Sequence, residues 1–301
     1  MPDEIFYWIL SMSIAAAVTG LPVLLARLVK RLPRRVLIFL WAIPYARMVL
    51  PIGLNSPFSL MSLLSGLTAK TVAVFQPADQ VRFSMMNFTM AAESYFPLIY
   101  KSNMLETVFR AASMVWLLGA LALLSLLAAA YAAAFREIRD ARPLRENIYL
   151  SEKVTAPAVY GIFRPRILLP ASWKGDTELA LLHERTHIRS GDNLWRLLAL
   201  AVTAVHWFNP FCWLFLRLFL TDLELACDER VLARLGADRR KEYARVLLES
   251  RERAGLVCAF GGAKISTRIE NILSFRRLTR LSLTACITLI GALFWVLLTN
   301  G

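Results

Sequence analysis

Long apolar segments most strongly constrain how this chain can fold. The stretches 6–28, 114–135 and 281–298 contain one charged residue between them, Arg27. Each approaches the roughly 20 residues that a helix needs to cross a bilayer. With 57% hydrophobic residues, the chain also exceeds the roughly 45–50% apolar share of soluble domains. The sequence therefore predicts a membrane protein, and its acidic start, Asp3-Glu4, argues against a cleaved signal peptide.

The net charge of +13 is concentrated in three segments that flank the apolar stretches. Positively charged loops stay on the cytoplasmic side of a membrane. We therefore expect both termini outside, the region 136–279 in the cytoplasm, and no direct binding of nucleic acid. The clusters are Arg27, Lys30, Arg31, Arg34 and Arg35; Arg136, Arg139, Arg142 and Arg145; and Arg268, Arg276, Arg277 and Arg280.

A fourth apolar stretch, 36–54, is interrupted by Pro44 and Arg47. We interpret Arg47 as a side chain that snorkels toward the interface rather than one that faces the interior. The predicted fold is a mainly α membrane protein with about four transmembrane helices and a cytoplasmic domain that contains a small β-sheet over 147–173. The predicted divisions are a membrane region at 1–135 with spans at about 6–28, 36–54 and 114–135, an external loop at 55–113, the cytoplasmic domain at 136–279, and a last span at 280–301.

The segment 183–187 reads H-E-R-T-H and matches H-E-x-x-H, the zinc-site motif of many metalloproteases. Two histidines four residues apart lie on one face of a helix and can bind one metal ion. Glu184 then lies beside the water that the metal activates, where it can accept a proton. The motif predicts a Zn²⁺ site with His183 and His187 as ligands and Glu184 as the catalytic residue.

The lengths of the following helices predict a third ligand. An apolar helix that starts after Gly191 rises about 1.5 Å per residue and travels roughly 20 Å away from the motif. A reversal at the Asn-Pro pair 209–210 returns the next helix by roughly the same 20 Å, to Glu224 and Asp228. Because a catalytic zinc site needs three protein ligands, we expect Glu224 to complete it. Asp228, one turn later, is predicted to accept a hydrogen bond from a ligating histidine.

Neighbouring residues leave alternatives open. Asp222 and Glu229 are rival carboxylate ligands, and Cys227 is a candidate soft ligand, although small buried cysteines usually pack. The remaining histidine, His206, is predicted to pack far from the zinc. We interpret the apolar run 194–221 as a hairpin that dips into the bilayer and returns, rather than as a fifth span.

Several stretches match a known family: VYGIFRPRILLP, ELALLHERTHIRSGDNLWRLL, VHWFNPFCWL, ELACDERVL, YARVLLE and FGGAKISTRIENILSFRR. On these stretches the chain resembles the membrane-embedded metallopeptidase part of the BlaR/MecR-type antirepressor and signal-transducer proteins. The resemblance implies a gluzincin-like zinc peptidase that faces the cytoplasm of a bacterial cell. It implies His183, His187 and Glu224 as zinc ligands, Glu184 as the catalytic carboxylate and Asp228 as their supporting residue.

The resemblance also implies a signalling protease that cleaves itself before the last span and causes removal of a transcriptional repressor. We place self-cleavage in the linker 265–280, whose stretch 271–277 is expected to be exposed and basic, at the bond between Ser274 and Phe275, with an ordinary membrane-flanking loop as the alternative. The expected partners are a protein or peptide substrate, membrane lipid and a second copy in a homodimer. A penicillin-binding sensor domain, which follows the last span in β-lactam-sensing members, is not expected because the chain stops at Gly301.

A different function stays open beside this one. The chain is alternatively a zinc-containing membrane receptor or scaffold without proteolytic activity. Structural zinc sites usually close with a fourth protein ligand, often a cysteine, and Cys227 would supply it.

Overall fold

The computed structural model describes residues 2–29, 32–50, 54–55, 103–236, 238–253, 263–275 and 280–300. These residues are mainly helical. The helices are α1 Pro2–Leu28, α2 Arg34–Leu40, α3 Ala42–Val49, α4 Asn103–Glu137, α5 Thr177–Ser190, α6 Asp192–Val205, α7 Pro210–Leu235, α8 Arg240–Arg253, α9 Ile265–Ser274 and α10 Arg280–Leu298. The strands are β1 Leu54–Asn55, β2 Arg142–Arg145, β3 Ile148–Ser151, β4 Ala158–Tyr160, β5 Arg166–Pro170 and β6 Thr299–Asn300.

Two helices are long and apolar enough to cross a membrane. They are Glu4–Leu28 within α1 and Thr107–Arg136 within α4. A shorter apolar stretch, Thr288–Leu297, lies in α10. The structure thus has helices at three of the predicted spans, and α4 begins well before the predicted start at 114. Most of the predicted external loop, 56–102, lies outside the described residues.

The fourth predicted span, 36–54, is not one helix. It divides at Trp41 into α2 and α3, and Pro44 falls in the first turn of α3, where the missing N–H breaks no intrahelical bond. The interpretation of Arg47 as a snorkelling residue is wrong. Its side chain is buried, and Nε donates to the carbonyl of Leu297 at 3.0 Å, one of the α10 carbonyls that has no partner within its own helix.

A four-stranded sheet supports the motif helix. Its strand order is β2-β3-β5-β4, with β3 and β5 parallel and the two outer pairs antiparallel. The buried Ile167 and Leu169 of β5 pack with Leu181 and Ile188 of α5. The predicted small sheet is therefore confirmed, and it begins earlier than expected because β2 precedes residue 147.

The reversal between α6 and α7 is confirmed. Asn209 accepts a hydrogen bond from the backbone N–H of Phe211 at 2.9 Å, and Pro210 occupies the first helical position. Both residues are favoured at a helix N-terminus, because the side-chain oxygen satisfies an N–H that has no helical partner and proline lacks one. The returning helix α7 contributes Phe215 and Leu223 to the main apolar core.

Asp222 on α7 fastens the first two helices of the chain to this core. It is fully buried and accepts from Arg27 at the end of α1, at 2.7 Å from Nε and 3.0 Å from Nη2. Trp41 Nε1 donates to the same carboxylate at 2.9 Å, and Arg34 Nη1 lies 3.5 Å away. Asp222 is therefore an anchor between α1, α2 and α7.

Glu229, two turns later on the same face of α7, has a related role. Its carboxylate accepts from the backbone N–H groups of Arg34 at 3.0 Å and Arg35 at 3.2 Å. These groups begin α2, where N–H groups lack helical acceptors and a negative charge is favoured. The two rival ligands considered from the sequence are thus engaged with α1 and α2.

Replacing the anchor should weaken the fold. In Asp222→Asn the two arginines lose their buried counter-charge, so we expect the free energy of unfolding to fall by on the order of 3 kcal/mol. The matched control is Asp238→Asn, which removes the same charge at an exposed position and should change stability by less than about 0.5 kcal/mol. Unfolding in one detergent, followed by circular dichroism, measures both. Equal stability of the two variants would contradict the anchoring role.

Candidate metal centre

The H-E-x-x-H motif lies on α5, as predicted, and both ends of this helix are well defined. Asp176 precedes the helix and accepts from the N–H groups of Glu178 and Leu179 at 2.8 and 3.1 Å. Gly191 ends it with φ of 66°, the left-handed conformation that glycine adopts without steric cost. His183, Glu184 and His187 are all buried. The three motif side chains are therefore buried on a helix whose two ends are both capped.

The two histidine rings point their Nε2 atoms at each other, 3.1 Å apart. Their other nitrogens are held from outside: His183 Nδ1 lies 2.8 Å from Tyr243 Oη, and His187 Nδ1 lies 2.6 Å from Asp192 Oδ2. Zinc binds imidazole nitrogen at about 2.0–2.1 Å, so two ligands at tetrahedral angles are about 3.3–3.4 Å apart. The observed spacing and orientation fit such an ion.

Glu224 faces this pair of nitrogens. Its two carboxylate oxygens lie 3.9 Å from His183 Nε2 and 3.8 Å from His187 Nε2. The structure therefore brings together the three residues that were predicted as ligands. The chain reverses between α6 and α7, and this reversal is the feature that led us to predict Glu224 as the third ligand.

Cys227 forms a second grouping with the same histidines. One donor atom from each of His183, His187 and Cys227 lies within 4.8 Å of the others. The Cys227 sulfur lies 3.6 Å from Nδ1 of His183, the nitrogen that Tyr243 already contacts, whereas Glu224 faces Nε2. Burial raises the pKa of the Cys227 thiol, which disfavours the thiolate form that binds metals.

Asp228 supports His183 through an intermediate residue. Its carboxylate lies 3.6 Å from His183 Nδ1, too far for a hydrogen bond, so the predicted direct contact is wrong. Tyr243 donates to Asp228 at 2.7 Å and is placed to accept from His183 Nδ1–H. That chain of donors leaves a lone pair on Nε2, the form in which histidine binds metals.

The contacts that four residues make in the site were not predicted from the sequence. Asp192 directly follows the end of α5, and an acidic residue five positions after a ligating histidine was the one available signal for it. Tyr243, Arg196 and Arg268 come from α8, α6 and α9, and no local pattern relates them to the motif. Arg268 donates to Asp228 from Nε at 2.8 Å and from Nη2 at 2.7 Å.

Two arginines surround Glu224. Arg196 Nη2 forms an ion pair with it, and Arg268 Nη1 lies 3.5 Å from it. Burial opposes ionisation of Glu224, but Arg196, His187 and Arg268 outweigh burial and hold the pKa of its carboxyl well below the ordinary range. This favours the carboxylate form of Glu224, which is the form in which a glutamate binds a metal.

Glu184 differs from Glu224 in its electrostatics. Burial raises the pKa of Glu184 above that of an ordinary glutamate. Burial also lowers the pKa of His183 well below its usual value, which favours the neutral ring. A carboxyl group with a raised pKa is suited to accept and return a proton near neutral pH.

The predicted self-cleavage position lies at the end of α9. Ser274 is exposed, but Phe275 is buried and packs with Tyr243 and Ile272. Residues 265–274 form the helix α9, whose apolar residues Ile265 and Ile272 pack with α7 and α8, while Leu273 and Ser274 at its end are exposed. Residues 276–279 lie outside the described residues.

His206 lies away from the site, as predicted. It is buried at the tip of the hairpin, with Nδ1 2.6 Å from Ser13 Oγ and Nε2 3.0 Å from the carbonyl of Met48. Its two ring nitrogens therefore tie the hairpin to α1 and α3.

Part of the chain is similar in sequence to known regulatory proteins. Over 121 residues the chain is 27% identical to the regulatory protein BlaR1 of Bacillus licheniformis. The aligned residues make up 38% of this chain and 20% of that protein. It is 28% identical over 108 residues to the methicillin resistance mecR1 proteins of Staphylococcus aureus and Staphylococcus epidermidis, covering 34% of this chain and 18% of those proteins. The aligned part thus spans about a fifth of these curated relatives.

A family model provides the broader match. The model described as BlaR1 peptidase M56 matches residues 7–272. This range runs from the first membrane-length helix to α9 and includes all the residues of the candidate metal centre. Because the match covers most of the chain, the protein belongs to the BlaR1 peptidase M56 family.

Proposed function

We propose that the protein is a membrane-embedded zinc metallopeptidase that acts in signal transduction. The observation that carries the proposal is the pair of Nε2 atoms 3.1 Å apart, each ring fixed through its other nitrogen, with Glu224 facing both. His183, His187 and Glu224 would hold the ion, and Glu184 on the same helix would act beside it. The family supports peptidase chemistry at this site.

The proposed reaction is hydrolysis of a peptide bond. When bound, zinc supplies a Lewis acid that makes water nucleophilic near neutral pH and polarises a carbonyl oxygen. Glu184 accepts a proton from the attacking water and donates it to the leaving amine. Tyr243 and Asp192 hold the two imidazoles in place through their Nδ1 atoms.

The role of Glu184 is tested by Glu184→Gln. This variant keeps the size of the side chain but cannot accept the proton, so cleavage of a protein substrate should slow by about 10²–10⁴-fold while the zinc content stays at one per chain. Glu178→Gln, at an exposed position on the same helix, should cleave at the wild-type rate. Metal analysis and a gel-based cleavage assay in detergent give the two readouts. Wild-type cleavage by Glu184→Gln would refute the proposal.

A second candidate function, a zinc-containing receptor or scaffold without protease activity, is favoured by the His183, His187 and Cys227 grouping. The two candidates differ in the third ligand. Glu224 would complete a catalytic site with an open position, whereas Cys227 would help to close a structural one.

Zinc affinity distinguishes these ligands. We expect Glu224→Gln to weaken zinc binding by more than the roughly 10–100-fold typical of losing an outer hydrogen-bond partner, and Cys227→Ala to leave it within a few fold. Competition with a chromophoric chelator measures both variants independently of any protease activity. The opposite ranking would favour the scaffold.

The orientation in the membrane belongs to the same proposal. The two membrane-length helices, α1 and α4, carry basic residues in their last turns, Arg27 and Arg136. Arg27 contacts Asp222 close to the candidate site. With the positive-inside rule, this supports a bacterial plasma-membrane protein with its 136–279 domain in the cytoplasm and its N-terminus outside. The C-terminus after α10 is placed outside as well.

The proposed substrates are the protein itself and a cytoplasmic transcriptional repressor. We keep the bond between Ser274 and Phe275 as the site of self-cleavage. Because Phe275 packs against α7 and α8, this bond has to leave its place at the end of α9 before it can enter the site.

Self-cleavage is tested on the expressed full chain. A C-terminal fragment that begins at Phe275 should accumulate from the wild type and be missing from Glu184→Gln. N-terminal sequencing of the membrane-bound fragment gives the position. A fragment of the same size from both proteins would show that another protease made the cut. A fragment with a different N-terminus would show that the chain cleaves itself at a bond other than Ser274–Phe275.

A further inference from the structure

A cavity of about 760 Å³ lies between α2, α3, α6 and α7, within the size range of small-molecule binding sites. Among the described residues that line it, none belongs to the candidate metal-binding or catalytic set. Asp192 lines it and contacts His187 Nδ1 at 2.6 Å. The cavity therefore borders the candidate metal centre from the outer side of His187, and it is a separate site.

The walls of the cavity are almost entirely apolar. They include Trp41, Tyr45, Val49, Val202 and Phe219. Along α6 the lining runs from Asp192 to Val202, which is roughly 15 Å at the helical rise. This long apolar shape is suited to a hydrocarbon chain.

One end of the cavity is polar, at Ser190, Asp192 and Arg230. Arg230 Nη1 lies 3.7 Å from Asp192 Oδ1, too far for a hydrogen bond. This nitrogen is buried and has no hydrogen-bond partner among the described residues. Buried donors without an acceptor are rare in folded proteins and call for an acceptor from elsewhere. Asp192 gives the guanidinium a nearby counter-charge through Oδ1, but that oxygen does not reach Nη1, so a hydrogen-bond acceptor such as a phosphate oxygen is the complement that this nitrogen lacks.

The hairpin that forms one wall is packed against the membrane helices. Val205, Trp207 and Phe208 at its tip contact the cluster that contains Phe6 of α1 and Trp116 of α4. Since α1 and α4 are long and apolar enough to cross a bilayer, lipid is the surrounding source of amphiphiles for this cavity.

We propose that the cavity binds one anionic phospholipid. Its phosphate accepts a charge-assisted hydrogen bond from Arg230 Nη1, and one acyl chain extends along Trp41 and Tyr45 toward Val202. The chain covers apolar walls that would otherwise contact water or remain empty. In space, only Asp192 would then lie between the bound lipid and His187.

The test uses the full chain reconstituted in nanodiscs of equal dioleoyl phosphatidylglycerol and dioleoyl phosphatidylcholine. After transfer to mild detergent, native mass spectrometry counts the retained lipid. The wild type should retain one phosphatidylglycerol per chain. Arg230→Gln should retain it about tenfold more weakly, as expected for loss of a hydrogen bond to a charged group. Ala199→Leu, which fills the cavity from a buried lining position, should lose it altogether.

Two matched controls separate the cavity from general effects of charge and size. Arg189→Gln removes a charge from an exposed position close to the same helix end. Ala201→Leu enlarges a residue of α6 that is not among the described lining residues. Both should retain lipid like the wild type. Equal retention of phosphatidylcholine, unchanged retention in Arg230→Gln and Ala199→Leu, or no retained lipid in the wild type would each overturn the proposal.

Discussion

The candidate site depends on how the two buried imidazole rings are held from behind. The H-E-x-x-H spacing places His183 and His187 on one face of α5, but spacing alone does not decide which nitrogen of each ring points inward. Tyr243 of α8 and Asp192 at the start of α6 occupy the Nδ1 side of the two rings. Because both outer nitrogens are occupied, both Nε2 atoms face the same point, which is the arrangement that a single metal ion requires.

Burying this many charges imposes a second constraint. Asp228 and Asp192 lie in the interior and Glu224 is partly buried, and carboxylates removed from water need opposite charges and hydrogen-bond donors. Arg268 meets the need for two of them, since it pairs with Asp228 and lies beside Glu224. Helix α9 is therefore part of the site and not a tether. A cut after Ser274 would leave Arg268 on the fragment that carries the H-E-x-x-H motif and would separate α10 from it.

Local signals predicted the parts of the fold that depend on neighbouring residues. The break at Gly191 and the reversal at Asn209 were predicted because helix-ending and helix-capping residues act within a few residues of their own position. The position of Glu224 then followed because α7 travels back from Pro210 to Glu224 about as far as α6 travels away. This is why the predicted ligands meet in the structure.

The failures concern contacts between residues that are distant in sequence. Arg47 was predicted to reach the membrane interface. The prediction failed because its acceptor, the carbonyl of Leu297, lies 250 residues away in the sequence. Asp228 was predicted to contact a histidine directly, but Tyr243 lies between them. The same limit applies to Arg196, whose partner Glu224 is distant in sequence and meets it only in the folded chain.

Helix α7 connects these features, since its two faces make different contacts. Asp222 and Glu229 are held by α1 and α2, whereas Glu224 and Asp228 face the candidate site. A helix is stiff over two residues, so Glu224 cannot shift along the helix axis without moving the carboxylate that Arg27 and Trp41 hold. As long as the contacts of Arg27 and Trp41 with Asp222 hold, a displacement of α1 or α2 would therefore move α7 and, with it, Glu224. The cavity adjoins the same path, because α2 and α7 form two of its walls.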